Sequence, residues 1–289
     1  MTIGIIGGHG FLGKKLAYHF KIKKISYSIF DIKKDKEFPN TTIGNILSYQ
    51  DLNKFIKNKK IIYNFAGLSD LNESLHKPLE AAQQNIIGTV NILDLCKKNN
   101  VKKYIHASTI YVGGNKGSFY RCSKKAAEDF IIEFNKRYKL NFSIIRFGSI
   151  YGPGSDIRNG LHKIINSAIK KNFIEYEGSK ENVREYIHVE DAAKICFLTS
   201  NKKYDNKILI ASGVERIKVE DLTKMLSEIL NIKKIQFKNK KTVGHYKYSP
   251  YNIEEMSLEK IILPSYIDIA QGLLQVAKEI KKTKINLFF

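Results

Sequence analysis

The chain has 289 residues, 43% of them hydrophobic and 27% charged, enough to bury a full core and within the range of ordinary globular proteins. No apolar run approaches the roughly 20 residues that span a bilayer, no leader pattern opens the chain, and Cys96, Cys122 and Cys196 give neither a disulfide framework nor a zinc spacing. The expectation is a cytoplasmic protein with reduced thiols, no membrane contact and no metal. A net charge of +21 suggests a polyanion partner, yet the basic residues are 43 Lys against six Arg, scattered through the chain. Runs such as Lys21-Ile22-Lys23-Lys24 and Lys238-Asn239-Lys240-Lys241 read as solvated faces, which argues against nucleic acid.

Ile3 to Ile6 form a short apolar strand, then comes a glycine turn, then a helical pattern through Leu12, Leu16 and Phe20. Gly7, Gly10 and Gly13 are spaced Gly-x-x-Gly-x-x-Gly, with Phe11 and Leu12 opening the helix. Missing side chains let a pyrophosphate reach the free N–H groups and positive dipole end of that helix, and the last glycine lets helix and strand pack closely. Asp31 ends a second strand, Ser26 to Asp31, where a carboxylate can accept from adenosine ribose hydroxyls and repel a 2′-phosphate. That favours NAD over NADP, with Lys33 and Lys34 moderating the preference.

A third strand, Lys60 to Phe65, leads into Ala66-Gly67. Residues 78–98 carry apolar or small groups at helical spacing, with Leu79, Ala82, Ile86, Val90 and Leu93 on one side. Strand Tyr104 to Ser108, helix Tyr120 to Tyr138 and strand Phe142 to Phe147 continue the alternation. The fold class this predicts is α/β: a Rossmann-type doubly wound parallel sheet, its ligands at the carboxyl ends of the strands. Beyond Gly148 a Gly152-Pro153-Gly154 turn and a helix near Leu161 to Lys171 read as a smaller C-terminal lobe. The apolar run Tyr186 to Val189, followed by the helix start Glu190-Asp191-Ala192, is expected to return to the sheet domain. The expected organisation is an NAD-binding domain over 1–148, rejoined by about 186–212, and a substrate-binding lobe from 149–185 and 213–289.

Tyr120-Arg121-Cys122-Ser123-Lys124 places a phenol and an amine one helical turn apart, directly after the strand that carries Ser108 and Thr109. A phenol with a pKa of about 10 is a poor base at neutral pH. A neighbouring ammonium and a positive nicotinamide ring stabilise its phenolate, so that Tyr120 can take a proton as hydride leaves the same carbon.

At these residues the chain resembles the extended short-chain dehydrogenase/reductase family, the NAD-dependent nucleotide-sugar epimerases and dehydratases. The likeness runs through Gly44-Asn45-Ile46, Asn64-Phe65-Ala66-Gly67, Asn85-Ile86-Ile87-Gly88-Thr89, Arg146-Phe147-Gly148-Ser149-Ile150-Tyr151-Gly152-Pro153 and Val183-Arg184-Glu185-Tyr186-Ile187-His188-Val189-Glu190-Asp191. It implies NAD held by the glycine turn and Asp31, with Asn45 and Ile46 beside the adenine and Phe65, Ala66, Gly67, Asn85, Tyr120 and Lys124 along the rest of the cofactor. It implies a nucleotide-diphosphate sugar as ligand, Thr109 holding the reacting oxygen with Ser108 as the close alternative, and Ser149 and Arg184 on the diphosphate or sugar. A surface ion pair of Arg184 with Glu185 or Asp191 is the plainer reading of that arginine. A homodimer built from residues 78–98 and 120–138 follows from the resemblance alone.

The chain departs from the family in four places. The 4,6-dehydratases carry Asp-Glu after the catalytic Thr, where this chain has Ile110-Tyr111, which disfavours that elimination and leaves 4-epimerase or 4-keto reductase chemistry. The segment that covers the sugar is trimmed to Val112 to Gly117, and Ser149 and Asn45 replace the usual Asn and Asp. The competing expectation is a non-catalytic NAD- or nucleotide-sensing protein, or an RNA-associated one, on the same fold.

Overall fold

The computed structural model describes residues 2–238 and 258–285, so Asn239 to Lys241 of the second lysine run lie outside the described residues. Lys21, Ile22, Lys23 and Lys24 are all exposed. The chain gathers into two compact units, one from residues 2–147, Ala192–Ala211 and 258–261, the other from Gly148–Asp191, 212–238 and 262–285.

The first unit contains β1 (Ile3–Ile6), α1 (Phe11–Ile22), β2 (Tyr27–Asp31), β3 (Thr41–Ile43), α2 (Tyr49–Ile56), β4 (Ile61–Asn64), α3 (Leu71–His76), α4 (Pro78–Ala82), α5 (Gly88–Lys98), β5 (Lys103–Thr109), α6 (Ser118–Tyr138) and β6 (Asn141–Phe147). β10 (Lys207–Ala211) and β13 (Glu259–Lys260) join it later in the chain. These strands form an eight-stranded sheet in the order β13-β10-β6-β5-β4-β1-β2-β3, parallel at every pairing. Parallel sheets are covered on both faces, and accordingly every residue of β1 and β4 is buried, polar Asn64 included. Strand order reverses between β1 and β4, which opens a crevice at their carboxyl ends. The loops after β1, β4 and β5 all emerge there.

Residues 78–98 depart from the expected single helix. A π-helical turn, Gln83–Ile87, separates α4 from α5 and rotates the buried stripe. Ala81, Asn85, Gly88, Thr89, Ile92 and Cys96 face inward, whereas of the predicted apolar side only Leu93 is buried; Leu79 is 70% exposed. Asn85 and Thr89 can be buried because both are hydrogen-bonded, Thr89 to the Tyr104 hydroxyl.

The second unit holds β7 (Ser149–Tyr151), α7 (Gly160–Lys171), β8 (Ile174–Glu177), β9 (Val183–His188), β11 (Arg216–Lys218), α9 (Val219–Leu230), β12 (Ile235–Lys238) and α10 (Ile269–Ile285). The unit boundary at Asp191 falls inside α8 (Val189–Leu198). Its strands form a three-stranded sheet, β11-β9-β7, and a two-stranded one, β12-β8. The segment expected to rejoin the sheet domain over about 186–212 begins with β9 of this small sheet, groups with the first unit from Ala192, and supplies β10, which pairs with β6. An apolar strand has no mark of which sheet it will join; available edges decide that. Ile165, Leu222, Leu226, Leu273 and Val276 form the core of this unit, each buried side chain contributing about 1.5–3 kcal/mol.

Candidate active site

The glycine turn is built to admit an anion. Gly7 has a φ of 75°, and a Cβ there would lie 2.6 Å from the Ala66 nitrogen; one at Gly13 would overlap the Gly7 carbonyl oxygen. Gly10 is the N-cap of α1, with no side-chain cap and no acidic residue in the first turn. The first N–H groups of the helix, from Phe11 and Leu12, thus have no intrahelical acceptor and keep the positive end of the dipole open. A Cβ at Gly10 would crowd the Gly7 carbonyl oxygen at 3.3 Å and would also stand in the way of a phosphate approaching the helix end. The cradle fits a pyrophosphate.

Asp31 stands beside this turn at the end of β2. Its carboxylate accepts from the His9 backbone N–H at 2.9 Å and from Lys33 N–H at 3.1 Å, which leaves lone pairs on both oxygens. His9 was not singled out in the sequence; its ring nitrogen Nε2 lies 2.8 Å from Thr41 Oγ1 and ties the turn to β3. Asn45 is exposed and its carboxamide oxygen accepts from Leu47 N–H, while the Ile46 side chain is buried.

The Phe65-Ala66-Gly67 turn is braced from within. Asn64 accepts from Ala66 N–H at 3.1 Å and donates to the Tyr104 hydroxyl at 2.9 Å, which in turn lies 3.0 Å from His106 Nδ1. Asn85 accepts from Leu68 N–H at 2.9 Å and donates to the Leu68 carbonyl and to Ser123 Oγ, at 3.0 and 2.9 Å. Both of its amide hydrogens are therefore committed inside the protein.

Thr109, Tyr120 and Lys124 come together at the end of β5. The Thr109 hydroxyl is hydrogen-bonded to the Tyr120 phenol and also accepts from Tyr111 N–H at 3.3 Å. Ser108 does not share that position, because its hydroxyl donates to Glu128 Oε1 at 2.5 Å. Lys124 is buried and donates from Nζ to the Ala107 carbonyl at 2.8 Å. Burial pushes the Tyr120 hydroxyl up to about 12, against the pull of Thr109. Burial also lowers Lys124 to about 8, with the Glu128 carboxylate acting the other way. At neutral pH the phenol keeps its proton and the amine remains mostly charged. The trimmed segment folds as a 3-10 turn, Ile110–Gly113, and Gly117 at φ 110° passes so close to Tyr111 that a Cβ would lie 2.9 Å from its ring. The Tyr111 ring meets that of Tyr120 edge-on, centroids 6.5 Å apart.

Ser149 and Arg184 belong to the second unit. Ser149 pairs with Tyr186, two residues after Arg184, so all three project from one face of the small sheet. Arg184 is buried and donates to the Val183 carbonyl at 2.9 Å; Glu185, on the opposite face, is engaged by Arg216 at 2.9 Å. Among the described residues no group of His, Cys, Asp or Glu is placed to hold a metal ion, and no helix is long and apolar enough to cross a membrane.

The profile of the NAD dependent epimerase/dehydratase family matches residues 3–211, and the chain belongs to that family, with NAD as its cofactor. A dTDP-D-glucose 4,6-dehydratase from Dictyostelium discoideum is 26% identical over 228 residues, 65% of this chain and 52% of that protein. The chain thus spans about half the length of that relative. A UDP-glucuronate 4-epimerase from Thermodesulfobacterium geofontis is 24% identical over 218 residues, 70% of this chain and 67% of its own. Among solved structures, the UDP-glucose 4-epimerase of Thermotoga maritima with UDP-glucose aligns at a TM-score of 0.84 and 21% identity, covering 98% of this chain and 100% of that one. The Thermus thermophilus UDP-glucose 4-epimerase in complex with NAD aligns at 0.80 and 17%, covering 97% and 99%. At such identities these two likenesses are of fold.

Proposed function

We propose that the chain acts at C4 of a nucleotide-diphosphate sugar, as a 4-epimerase or a 4-keto reductase. The observation that carries this reading is the cluster of Thr109, Tyr120 and Lys124 at the carboxyl end of β5. NAD, when bound, supplies a hydride acceptor and donor. Tyr120 takes the proton of the C4 hydroxyl as the carbon is oxidised and returns it on reduction, while Thr109 holds the oxygen by hydrogen bonding. A phenol at about 12 needs help to ionise near pH 7; that part is given to Lys124 together with the positive nicotinamide ring that NAD would bring when bound. Ile110 and Tyr111 stand where the family resemblance implies the Asp-Glu pair of a 4,6-elimination, which disfavours that reaction.

Gly7, Gly10, Gly13, Phe11, Leu12 and Asp31 are assigned to the pyrophosphate and ribose, and Asn45 and Ile46 to the adenine side. Asn85 is assigned a supporting role, holding Gly67 and Leu68, because its amide is already used. Ser149 and Arg184 are assigned to the diphosphate and sugar, where a guanidinium fork matches phosphate oxygens. A homodimer is supported by the large apolar side chains left on the outside of the α4–α5 segment and α6, among them Leu79, Ile87, Phe119 and Phe130.

A panel of UDP-glucose, UDP-glucuronate, UDP-N-acetylglucosamine and dTDP-glucose with NAD present tests the reading. One of them is expected to raise Tm, by about 2.7 kcal/mol of stabilisation at a hundredfold excess over Kd, and its C4 epimer or 4-keto partner to appear by NMR. NAD binding without stabilisation or conversion by any sugar nucleotide would leave a nucleotide-sensing protein instead.

A further inference from the structure

Three consecutive residues of β5 each engage one of three residues spaced a helical turn apart on α6. The Ala107 carbonyl accepts from Lys124 Nζ at 2.8 Å, Ser108 Oγ donates to Glu128 Oε1 at 2.5 Å, and Thr109 is hydrogen-bonded to Tyr120. Tyr120, Lys124 and Glu128 follow one another at intervals of four, so they form a single stripe along the helix. Glu128 has no exposed side-chain surface, and Arg146 of β6 grips it with Nε 3.0 Å from Oε1 and its terminal nitrogen 2.6 Å from Oε2. A carboxylate taken this far from water persists only with such partners. The clamp leaves it no freedom to turn.

We propose that Glu128 is a positioning residue for Lys124: held by Arg146 and Ser108, its carboxylate is the fixed countercharge that keeps the buried ammonium protonated at the Ala107 carbonyl. The proposal rests on the assignment of Tyr120 and Lys124 as the acid–base pair. The groups packed around Lys124 leave this task to Glu128. Tyr120 on the same helix is a neutral phenol, and Arg146 from β6 carries a like charge. His106 from β5 is held neutral, well below its usual range, by burial and by Lys124 itself. Two buried cations thus share one carboxylate.

The test is a pH titration of Lys124 in the full chain, read from the 13Cε–15Nζ correlations of labelled lysines and assigned by the signal lost in Lys124→Arg. In Glu128→Gln, which keeps shape and hydrogen-bonding capacity, the midpoint is expected to fall from about 8 by roughly one pH unit or more. The alkaline limb of kcat should move down with it while KM changes little. An unchanged midpoint in the folded variant overturns the proposal. Should Glu128→Gln fail to fold, Glu128→Asp carries the same test, since it keeps the charge but draws it back along the helix from Lys124. The midpoint should then fall by less than expected of Glu128→Gln; no movement overturns the proposal equally. The titration needs no substrate and therefore stands apart from the assignment of Tyr120, which fails separately if Tyr120→Phe keeps full turnover.

Discussion

Two clusters of charge, one in each unit, are held differently. In the first unit, Lys124, Glu128 and Arg146 are all buried, and each is held by a named partner on a neighbouring strand or helix. In the second, the Arg216 side chain is 65% exposed where it reaches the buried Glu185, and β11, which carries it, is an edge strand of three residues. Buried, fully partnered groups cannot shift without leaving a charge stranded, at about 3–5 kcal/mol, whereas a solvated guanidinium keeps water as an alternative partner for its free N–H groups. The proton transfer proposed for the first unit demands fixed distances, which its buried pairs supply. The sugar recognition proposed for the second unit tolerates variation, which the small sheet and its short edges allow.

Substitutions in each unit should separate those two roles. The largest effect is expected from Tyr120→Phe, which removes the hydroxyl from the partnered cluster: kcat falls about 10²–10⁴-fold while NAD affinity by calorimetry is kept. Turnover close to wild type would break the contrast between the units at its centre. A smaller effect is expected from Arg184→Lys in the second unit, where losing the fork raises KM for the sugar nucleotide roughly tenfold with kcat nearly unchanged. An equal fall in kcat would show that this unit also shapes the reacting geometry. The least effect on chemistry should come from Phe130→Glu on the outer face of α6. Light scattering is expected to show a dimer become a monomer, while NAD affinity stays within about 0.5 kcal/mol. A wild-type chain already monomeric would remove the outer face from any role in association.

Most of the first unit could be read from local pattern. The turn at Gly7, the strand ending in Asp31 and the Tyr120/Lys124 spacing each lie within one strand–turn–helix stretch, where the residues that set the geometry are neighbours in the chain. Glu128 was missed although it continues the same spacing four residues beyond Lys124. The signal was present, but a Glu on a lysine-rich helix reads as solvated until Arg146 and Ser108 are brought against it by the pairing of β5 with β6. Asn85, expected along the cofactor, has its side-chain amide hydrogen-bonded to Leu68 and Ser123, contacts that no local pattern announces.

Short-range order, meaning which segments are strands, which are helices and where glycine is obligatory, was already settled by side-chain periodicity and backbone sterics acting within a few residues. Tertiary structure alone decided which of Ser108 and Thr109 would meet Tyr120, the sheet that β9 would join, and the side of residues 78–98 that would be buried. Those outcomes depend on partners distant in the chain. A strand pairs with the edges it is offered, and a polar side chain turns inward only where a hydrogen bond waits to offset its loss of water.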